Sequence, residues 1–148
     1  MVPKELSLNQ KRVERYRGKV ERIEVRASDI EEWISDLSEL DFEQDKKTRL
    51  AIYKAFQELV ESIADICAMY AADTGRVVGD DHENIEKAAG RLYESELSND
   101  LKNSNGLRNR IIHEYNGLNH KIAYDSINEL LPSLKKFGEE VKRWIKNK

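Results

Sequence analysis

Residues 13–37 read VERYRGKVERIEVRASDIEEWISDL, and the spacing of their apolar side chains decides the fold class. The apolar positions alternate between intervals of three and four residues: Val13, Tyr16, Val20, Ile23, Ala27, Ile30, Ile34 and Leu37. Such a heptad pattern keeps one apolar seam facing a neighbouring helix. It predicts a long helix over residues 9–38 that begins at an Asn9 cap and packs along a partner helix.

Apolar stripes with helical spacing recur through the rest of the chain, and no segment alternates with the period of a strand. They predict further helices over residues 45–72, 82–97, 101–115 and 120–146. Gly75 is expected just after the second helix, and Pro132 is expected to bend the last helix or to start a new segment. Residues 40–42 are expected to form a short connection. The sequence therefore predicts an all-α antiparallel bundle of four to five helices, formed by one domain over residues 1–148.

The composition fits a helical protein without disulfides or a membrane segment. Charged residues make up 36% of the 148 residues, with two prolines and seven glycines. The single cysteine, Cys67, excludes an internal disulfide framework and a CxxC metal site, and its place on an apolar face predicts a packing role. Met1–Lys4 lead into a charged segment rather than an apolar leader, so we expect a soluble, cytoplasmic protein without membrane association.

The formal net charge of −3 conceals basic ends and an acidic middle. Residues 1–26 carry eight Lys and Arg against four Asp and Glu, residues 27–100 carry seven against nineteen, and residues 101–148 carry ten against five. In an up-and-down bundle the two basic ends could share one face and form a local basic surface. The simpler alternative is that these charges are ordinary solvated helix faces, since a general nucleic-acid binder is usually basic throughout.

Residues 107–118, LRNRIIHEYNGL, contain the strongest candidate for a chemical site. Arg108 is permanently charged and presents a planar fork of donors that matches phosphate oxygens. His113 is of the side-chain type whose unperturbed pKa allows it to act as both acid and base near neutral pH. RNA supplies its own nucleophile, the 2′-hydroxyl, so these two residues could cleave a phosphodiester without a metal. Asn109 could orient His113 or contact the phosphate.

In this scheme a neutral His113 takes the proton of the 2′-hydroxyl, and a protonated His113 donates to the leaving 5′-oxygen. Arg108 holds the phosphate and stabilises the charge that develops in the transition state. The product would carry a 2′,3′-cyclic phosphate, and DNA would not be cut. No cluster of His, Cys and Asp has metal-ligand spacing, so no metal or other cofactor is expected. Local chemistry alone leaves a purely structural role for this Arg and His open.

The spacing of Arg108 and His113 poses a geometric problem. On a continuous helix the two lie about 140° apart, since each residue turns the helix by about 100°. One helix therefore presents them poorly to a single phosphate. Either the helix breaks near His113, or a second chain completes the site, as a two-fold dimer would by joining two copies of the motif. His120, seven residues after His113 near the start of the last helix, could approach the site but is expected to face solvent.

Arg108, His113 and Tyr115 match the Arg-x4-His-x-Tyr signature of the HEPN superfamily, and residues 107–118 more narrowly resemble HepT-like toxins of bacterial and archaeal toxin–antitoxin pairs. The order of helices is also similar, but only the motif is specific. The resemblance implies a helical bundle that forms a homodimer, with the two motifs lining a shared cleft. It implies metal-independent endoribonuclease activity on an RNA substrate, with Arg108 and His113 as the catalytic pair and Asn109 at a polar position often found after the Arg.

The same resemblance implies a partner, a minimal nucleotidyltransferase that serves as the antitoxin. In such pairs the antitoxin can transfer AMP groups onto the motif tyrosine, which is Tyr115 in this chain. Each added nucleotide brings a negative phosphate and bulk to a site suited to RNA phosphate, so this AMPylation is expected to block the substrate. The motif is intact in this sequence.

Two other functions fit the sequence. The bundle could be a non-catalytic, nucleotide-binding partner of the nucleotidyltransferase, in which Arg108 and His113 bind a phosphate without cleaving anything. It could also be a structural bundle or coiled-coil adaptor, as the heptads of the first helix would allow. The ribonuclease hypothesis predicts that Arg108→Ala and His113→Ala lose toxicity. The second predicts a protein that binds nucleotide but leaves RNA intact, and the third predicts no phenotype from mutation of the motif.

Overall fold

The first helix, α1 (Gln10–Ser35), begins at the predicted cap, where the side chain of Asn9 accepts the backbone N–H of Arg12 at 2.8 Å. A computed structural model describes residues 7–148 of the chain. Six of the eight seam positions are buried in α1, while Val13 is half-buried and Leu37 lies beyond the helix. The heptad seam is therefore the buried face of α1, as its spacing predicts.

Five further α-helices lie in residues 7–148, with no strand among them. They are α2 (Glu39–Gln44), α3 (Lys46–Asp73), α4 (Asp81–Ala88), α5 (Ser98–His113) and α6 (His120–Lys146). Short 3₁₀ turns, Ser95–Leu97 and Tyr115–Gly117, precede and follow α5. No helix in this part of the chain has the length and apolarity that spanning a lipid bilayer requires.

Helices α3 and α6 each run antiparallel to α1. Ion pairs between α1 and α3 occur in opposite order along the two helices: Arg12 with Asp73, Lys19 with Asp65, and Arg26 with Glu58. Helix α6 runs back along α1, since Lys142 pairs with Glu24 and Lys135 with Glu31. The predicted all-α antiparallel bundle is confirmed. Its core lies between α1, α3 and α6, and Cys67 is buried within it.

Two local expectations were wrong. Residues 40–42 belong to α2 rather than to a bare connection, because Ser38 and Asp41 form a capping box that starts this short helix. The helix expected over residues 82–97 ends at Ala88, and Gly90 follows in the left-handed region at φ 77°. Of the two alternatives expected at Pro132, the start of a new segment is excluded, because helix α6 continues through it.

Gly75 follows the C-terminal cap of α3 with φ 74°, as predicted. Its N–H donates to the carbonyl of Ala72 at 3.1 Å, and the N–H of Arg76 donates to that of Ala71 at 2.8 Å. This pair of bonds is a Schellman motif, which satisfies carbonyls that the end of a helix leaves free. It ends α3 sharply, so that the chain can turn into α4.

Candidate active site

The motif occupies the last turns of α5 and the turn that follows. Leu107 and Ile111 are buried and hold this helix against the bundle, whereas Ile112 is 38% exposed. Helix α5 ends at His113, two residues earlier than predicted, and the N–H of Glu114 donates to the carbonyl of Arg110 at 2.8 Å. Tyr115 therefore leaves the helix and starts a 3₁₀ turn.

Arg108 is half-buried and oriented by two side chains. Its Nη2 donates to Oε1 of Glu61 on α3 at 2.9 Å, and its Nη1 donates to Oδ1 of Asn109 at 2.9 Å. Nε of Arg108 is buried and has no hydrogen-bond partner among the described residues. An arginine has five N–H donors, so one hydrogen on each Nη atom is left to bind an anion such as a phosphate.

Glu61 is itself fixed and ionised. Its Oε1 also accepts from Nε2 of Gln57, one turn earlier on α3, at 3.0 Å. Burial favours a higher pKa for Glu61, but the hydrogen bonds from Gln57 and Arg108 outweigh burial and hold the pKa below its ordinary value. Glu61 is thus an anionic anchor for the Arg108 guanidinium near neutral pH.

His113 lies on a different side of α5 from Arg108. Both belong to the helix, so the angle between them is about 140°. The guanidinium of Arg108 turns towards α3, while His113 is exposed. Asn109 accepts a hydrogen bond from Arg108, which fits a role in orienting Arg108 rather than His113. The end of the helix comes just after His113 and does not bring the two side chains onto one face.

Tyr115 packs into an aromatic cluster. Its ring meets Tyr53 of α3 edge to face, with centroids 6.0 Å apart, and lies 5.6 Å from the ring of His120. Oη of Tyr53 is 2.7 Å from Nδ1 of His120. Nη2 of Arg49 on α3 lies 3.5 Å from Oη of Tyr115, at the outer limit of a hydrogen bond. His120 is therefore half-buried in this cluster, and the expectation that it faces solvent was wrong.

The protonation states in the cluster follow from burial and from Arg49. Burial raises the pKa of Tyr53 well above its ordinary value, so Tyr53 is a neutral phenol. Burial and the positive charge of Arg49 lower the pKa of His120 below 6.5, so its imidazole is neutral at pH 7. A neutral phenol and a neutral imidazole share one hydrogen bond between Oη of Tyr53 and Nδ1 of His120, and the tautomer of His120 decides which of the two donates.

The Arg108 and Tyr115 regions are anchored at separate points on α3. Glu61 binds Arg108, whereas Arg49 and Tyr53 contact Tyr115. Arg49 and Glu61 are twelve residues apart, which corresponds to about 18 Å along an α-helix. Exposed His113 lies on the chain between the two regions. Among residues 7–148 no group of three or more His, Cys, Asp or Glu is placed to hold a metal ion.

The family model for ribonuclease HepT-like proteins matches residues 23–141. The chain belongs to the HepT-like ribonuclease family. The matched range contains Glu61 and the whole motif, and the resemblance that the motif indicates is confirmed. A curated relative from Archaeoglobus fulgidus, named "Putative RNase", is 35% identical over 135 residues, which cover 88% of this chain and 92% of the relative. A second protein of that name from the same organism is 37% identical over 75 residues, half of this chain and 57% of the relative.

A solved structure shares the fold of this HepT-like chain. It is a tri-AMPylated HEPN toxin of Shewanella oneidensis in complex with an MNT antitoxin. The two chains superpose with a TM-score of 0.79 at 22% identity, and the match covers 92% of this chain and 99% of the other. The fold of this HepT-like protein is therefore the HEPN fold.

Glu61 and Arg49 were missed by sequence reasoning in this HepT-like protein. Glu61 gives no signal, because a glutamate on the half-buried side of a helix is unremarkable in a sequence. Arg49 does give a signal in the sequence, because it occupies one position of a stripe on α3 whose other members are apolar and follow at intervals of three and four residues. That stripe is Arg49, Ile52, Phe56, Leu59 and Ile63. A charged residue at a core position indicates a special partner.

Proposed function

We propose that this protein is the toxin of a toxin–antitoxin pair and acts as a metal-independent endoribonuclease. The observation that carries the proposal is the Arg108 guanidinium, held by Glu61 and Asn109 in the same motif as exposed His113, in a chain of a ribonuclease family. The two remaining Nη hydrogens of Arg108 bind the scissile phosphate. They stabilise the negative charge that builds on it as the reaction proceeds.

His113 supplies the proton transfers. In its neutral form it removes the proton of the RNA 2′-hydroxyl, which attacks the adjacent phosphorus and displaces the 5′-oxygen. A protonated His113 donates to that leaving oxygen, and the product ends in a 2′,3′-cyclic phosphate. The step uses the nucleophile that RNA carries, so it needs no metal and does not act on DNA.

The working site is formed by two chains. Arg108 and His113 are about 140° apart on α5, so a phosphate bound to Arg108 is better reached by His113 of a partner subunit. A homodimer with its two motifs facing one cleft satisfies this requirement. Exposed Ile112, which lies between the catalytic residues, is available to such an interface.

Regulation in this proposal comes from a minimal nucleotidyltransferase antitoxin that AMPylates Tyr115. The HEPN toxin of Shewanella oneidensis, which is tri-AMPylated and in complex with an MNT antitoxin, supports this proposal by likeness of fold. A nucleotide on Tyr115 places negative charge two residues from His113, where it repels an RNA phosphate. The protein is expected to act in the cytoplasm, where its RNA substrate is found.

The test is cleavage of RNA by the purified protein and by variants of the motif. Arg108→Ala and His113→Ala should each lower the cleavage rate by about 100-fold or more, the usual loss when a charge-stabilising or acid–base group is removed. Arg110→Ala is the matched control, because Arg110 is an exposed arginine of the same helix. If the wild-type protein binds nucleotide but leaves RNA intact, the non-catalytic partner hypothesis replaces this one.

A further inference from the structure

Arg49 is a buried cation without a direct ion pair in the described residues, although the carboxylate of Asp45, one turn earlier, feels its charge. The residue is 7% exposed, and no ion pair involves it within residues 7–148. Its Nη1 donates to the backbone carbonyls of Phe42 at 3.2 Å and Glu43 at 2.5 Å, at the end of α2. Its Nε is buried and has no hydrogen-bond partner in the described chain. Burying an unpaired charge is costly, so a structural role in holding α2 accounts for only part of this arrangement.

The remaining nitrogen, Nη2, faces the hydroxyl of Tyr115 at 3.5 Å. This distance is too long for a strong hydrogen bond, so the Arg49 charge is not satisfied by the phenol. A group with negative oxygens attached to that hydroxyl would come within reach of the guanidinium. Charge-assisted bonds of this kind are shorter and about twice as strong as neutral ones.

Tyr115 also differs from several other tyrosines in what its hydroxyl meets. Three of them donate to oxygen acceptors: Tyr16 to Asp73, Tyr93 to the carbonyl of Ile85, and Tyr124 to the carbonyl of Leu37. The hydroxyl of Tyr115 meets a donor instead. Its proton is therefore not committed to an acceptor of this chain, and its oxygen lies beside a positive charge. Both properties suit a nucleophile.

We propose that Arg49 is the positioning residue for AMPylation of Tyr115, binding the phosphate that becomes attached to its hydroxyl. The proposal rests on the proposed modification of Tyr115. In the step, Oη of Tyr115 attacks the α-phosphorus of a nucleoside triphosphate. The Oη–P bond forms as the bond from that phosphorus to the β-phosphate oxygen breaks, and pyrophosphate leaves. The phenolic proton passes to a carboxylate of the transferase or to solvent, since Nδ1 of His120 is already engaged in a hydrogen bond with Tyr53.

Arg49 contributes twice to this step. Its charge stabilises the negative oxygens of the transferring phosphoryl group, and afterwards it pairs with the phosphodiester on Tyr115. The rings of Tyr53 and His120 hold the phenol at the position from which it reaches Arg49. Arg49, which has no direct ion pair in the described part of the unmodified protein, thus gains one when Tyr115 carries a nucleotide.

The test measures AMP transfer to the full-length protein by its cognate nucleotidyltransferase with ATP, followed as intact mass over time. The variants are Arg49→Gln and Arg49→Lys, with Arg110→Gln as the matched control and Tyr115→Phe as the test of the acceptor. Arg49→Gln should slow the first transfer at saturating toxin by about 10-fold or more, as loss of a charge-stabilising donor does. Arg49→Lys should recover part of that rate, and Arg110→Gln should match the wild type.

If Arg49 only supports the fold, its variants slow AMP transfer by unfolding and make no contact with the phosphate. Assays run well below the melting temperature of every variant remove the effect of unfolding. The phosphorus-31 resonance of singly modified protein, compared between wild type and Arg49→Lys, tests the contact. A contact between Arg49 and the phosphate should shift that resonance. Equal transfer rates in Arg49→Gln and wild type, or an unchanged resonance, overturn the role of Arg49 alone. Absence of wild-type modification, or its persistence in Tyr115→Phe, refutes the Tyr115 proposal and this inference with it.

Discussion

Nη2 of Arg108 donates to Oε1 of Glu61 over 2.9 Å and joins the motif helix α5 to the middle of α3. The contact joins residues 47 positions apart, so it exists only when the bundle is folded. Both side chains are partly exposed, and a pair of this kind adds at most about 1 kcal/mol to stability. Its main consequence is the orientation of the guanidinium, which would otherwise be held only by Asn109.

Removal of the Glu61 carboxylate should therefore lower activity more than stability. Glu61→Ala is expected to reduce the rate of RNA cleavage by about 10-fold, because Arg108 loses one of its two fixed contacts and spends less time aligned with the phosphate. Glu61→Gln, which can still accept from Nη2, should lose less. Single-turnover cleavage of an RNA oligonucleotide measures both effects.

Asp65 offers a matched control for Glu61. It lies one turn later on α3 and pairs with Lys19 of α1, away from the motif helix. Asp65→Ala should leave the cleavage rate unchanged. If Glu61→Ala cleaves RNA as fast as wild type or faster, Glu61 does not position Arg108 for catalysis, and its carboxylate would instead compete with the substrate.

The His120–Tyr53 pair should make the stability of the fold depend on pH. Burial and the charge of Arg49 lower the pKa of His120 in the folded protein below its ordinary value of 6.5. As the pH falls through 6.5, the unfolded chain binds a proton that the folded protein does not yet bind. The contribution of His120 to the free energy of unfolding is therefore present above pH 6.5 and is lost as the pH falls through the folded pKa.

Melting temperatures between pH 5 and pH 8 provide the measurement for His120. His120→Gln should flatten the fall in stability on the acid side, because the residue no longer titrates. His82→Gln is the control, since His82 is exposed on α4. If His82→Gln flattens the dependence of melting temperature on pH and His120→Gln leaves it as in wild type, the lowered pKa of His120 is wrong.

Two helical glycines should respond in opposite ways to an added methyl group. Gly18 is exposed inside α1, and a Cβ there would meet nothing within 4 Å, so Gly18→Ala should raise the free energy of unfolding by about 0.5–1 kcal/mol. A Cβ on Gly138 of α6 would lie 3.1 Å from Cγ2 of buried Ile23. Overpacking there should cancel the helix gain, and Gly138→Ala should lose about 1 kcal/mol. Urea unfolding of both variants checks this, and a stabilised Gly138→Ala would contradict the close approach of α1 and α6.

The sequence predicted the helices in which buried apolar residues recur at a helical period. The seam of α1 runs over seven turns, so its period is unmistakable. Helix α2 has only six residues, which is too short for a period, and its signal is the capping box at Ser38 and Asp41. Helix α4 ends at Ala88, and Gly90 follows in the left-handed region. A single glycine in a helical sequence pattern is often tolerated, so Gly90 does not by itself predict that the helix ends there.

The sequence predicted only those residues of the candidate site that lie together in one segment of the chain. Arg108, Asn109, His113 and Tyr115 form a contiguous motif that can be recognised in the sequence. The residues that contact the motif come from α3 and α6. Glu61 is 47 residues from its partner Arg108, and Arg49 is 66 residues from its partner Tyr115. Such contacts depend on the register in which α5 packs antiparallel to α3, which no local pattern contains.

A site shared by two chains predicts that two inactive variants can complement each other. If Arg108 of one subunit works with His113 of its partner, a dimer of one Arg108→Ala chain and one His113→Ala chain has one site with both residues intact and one with neither. Mixing the two proteins under conditions that exchange subunits should then raise RNA cleavage above either parent. The ceiling is about a quarter of the wild-type rate, since half of the dimers are mixed and half of their sites are complete. Native mass spectrometry verifies that mixed dimers form. If they form and cleavage does not rise, Arg108 and His113 act within one chain, and α5 must rearrange to bring them to one phosphate.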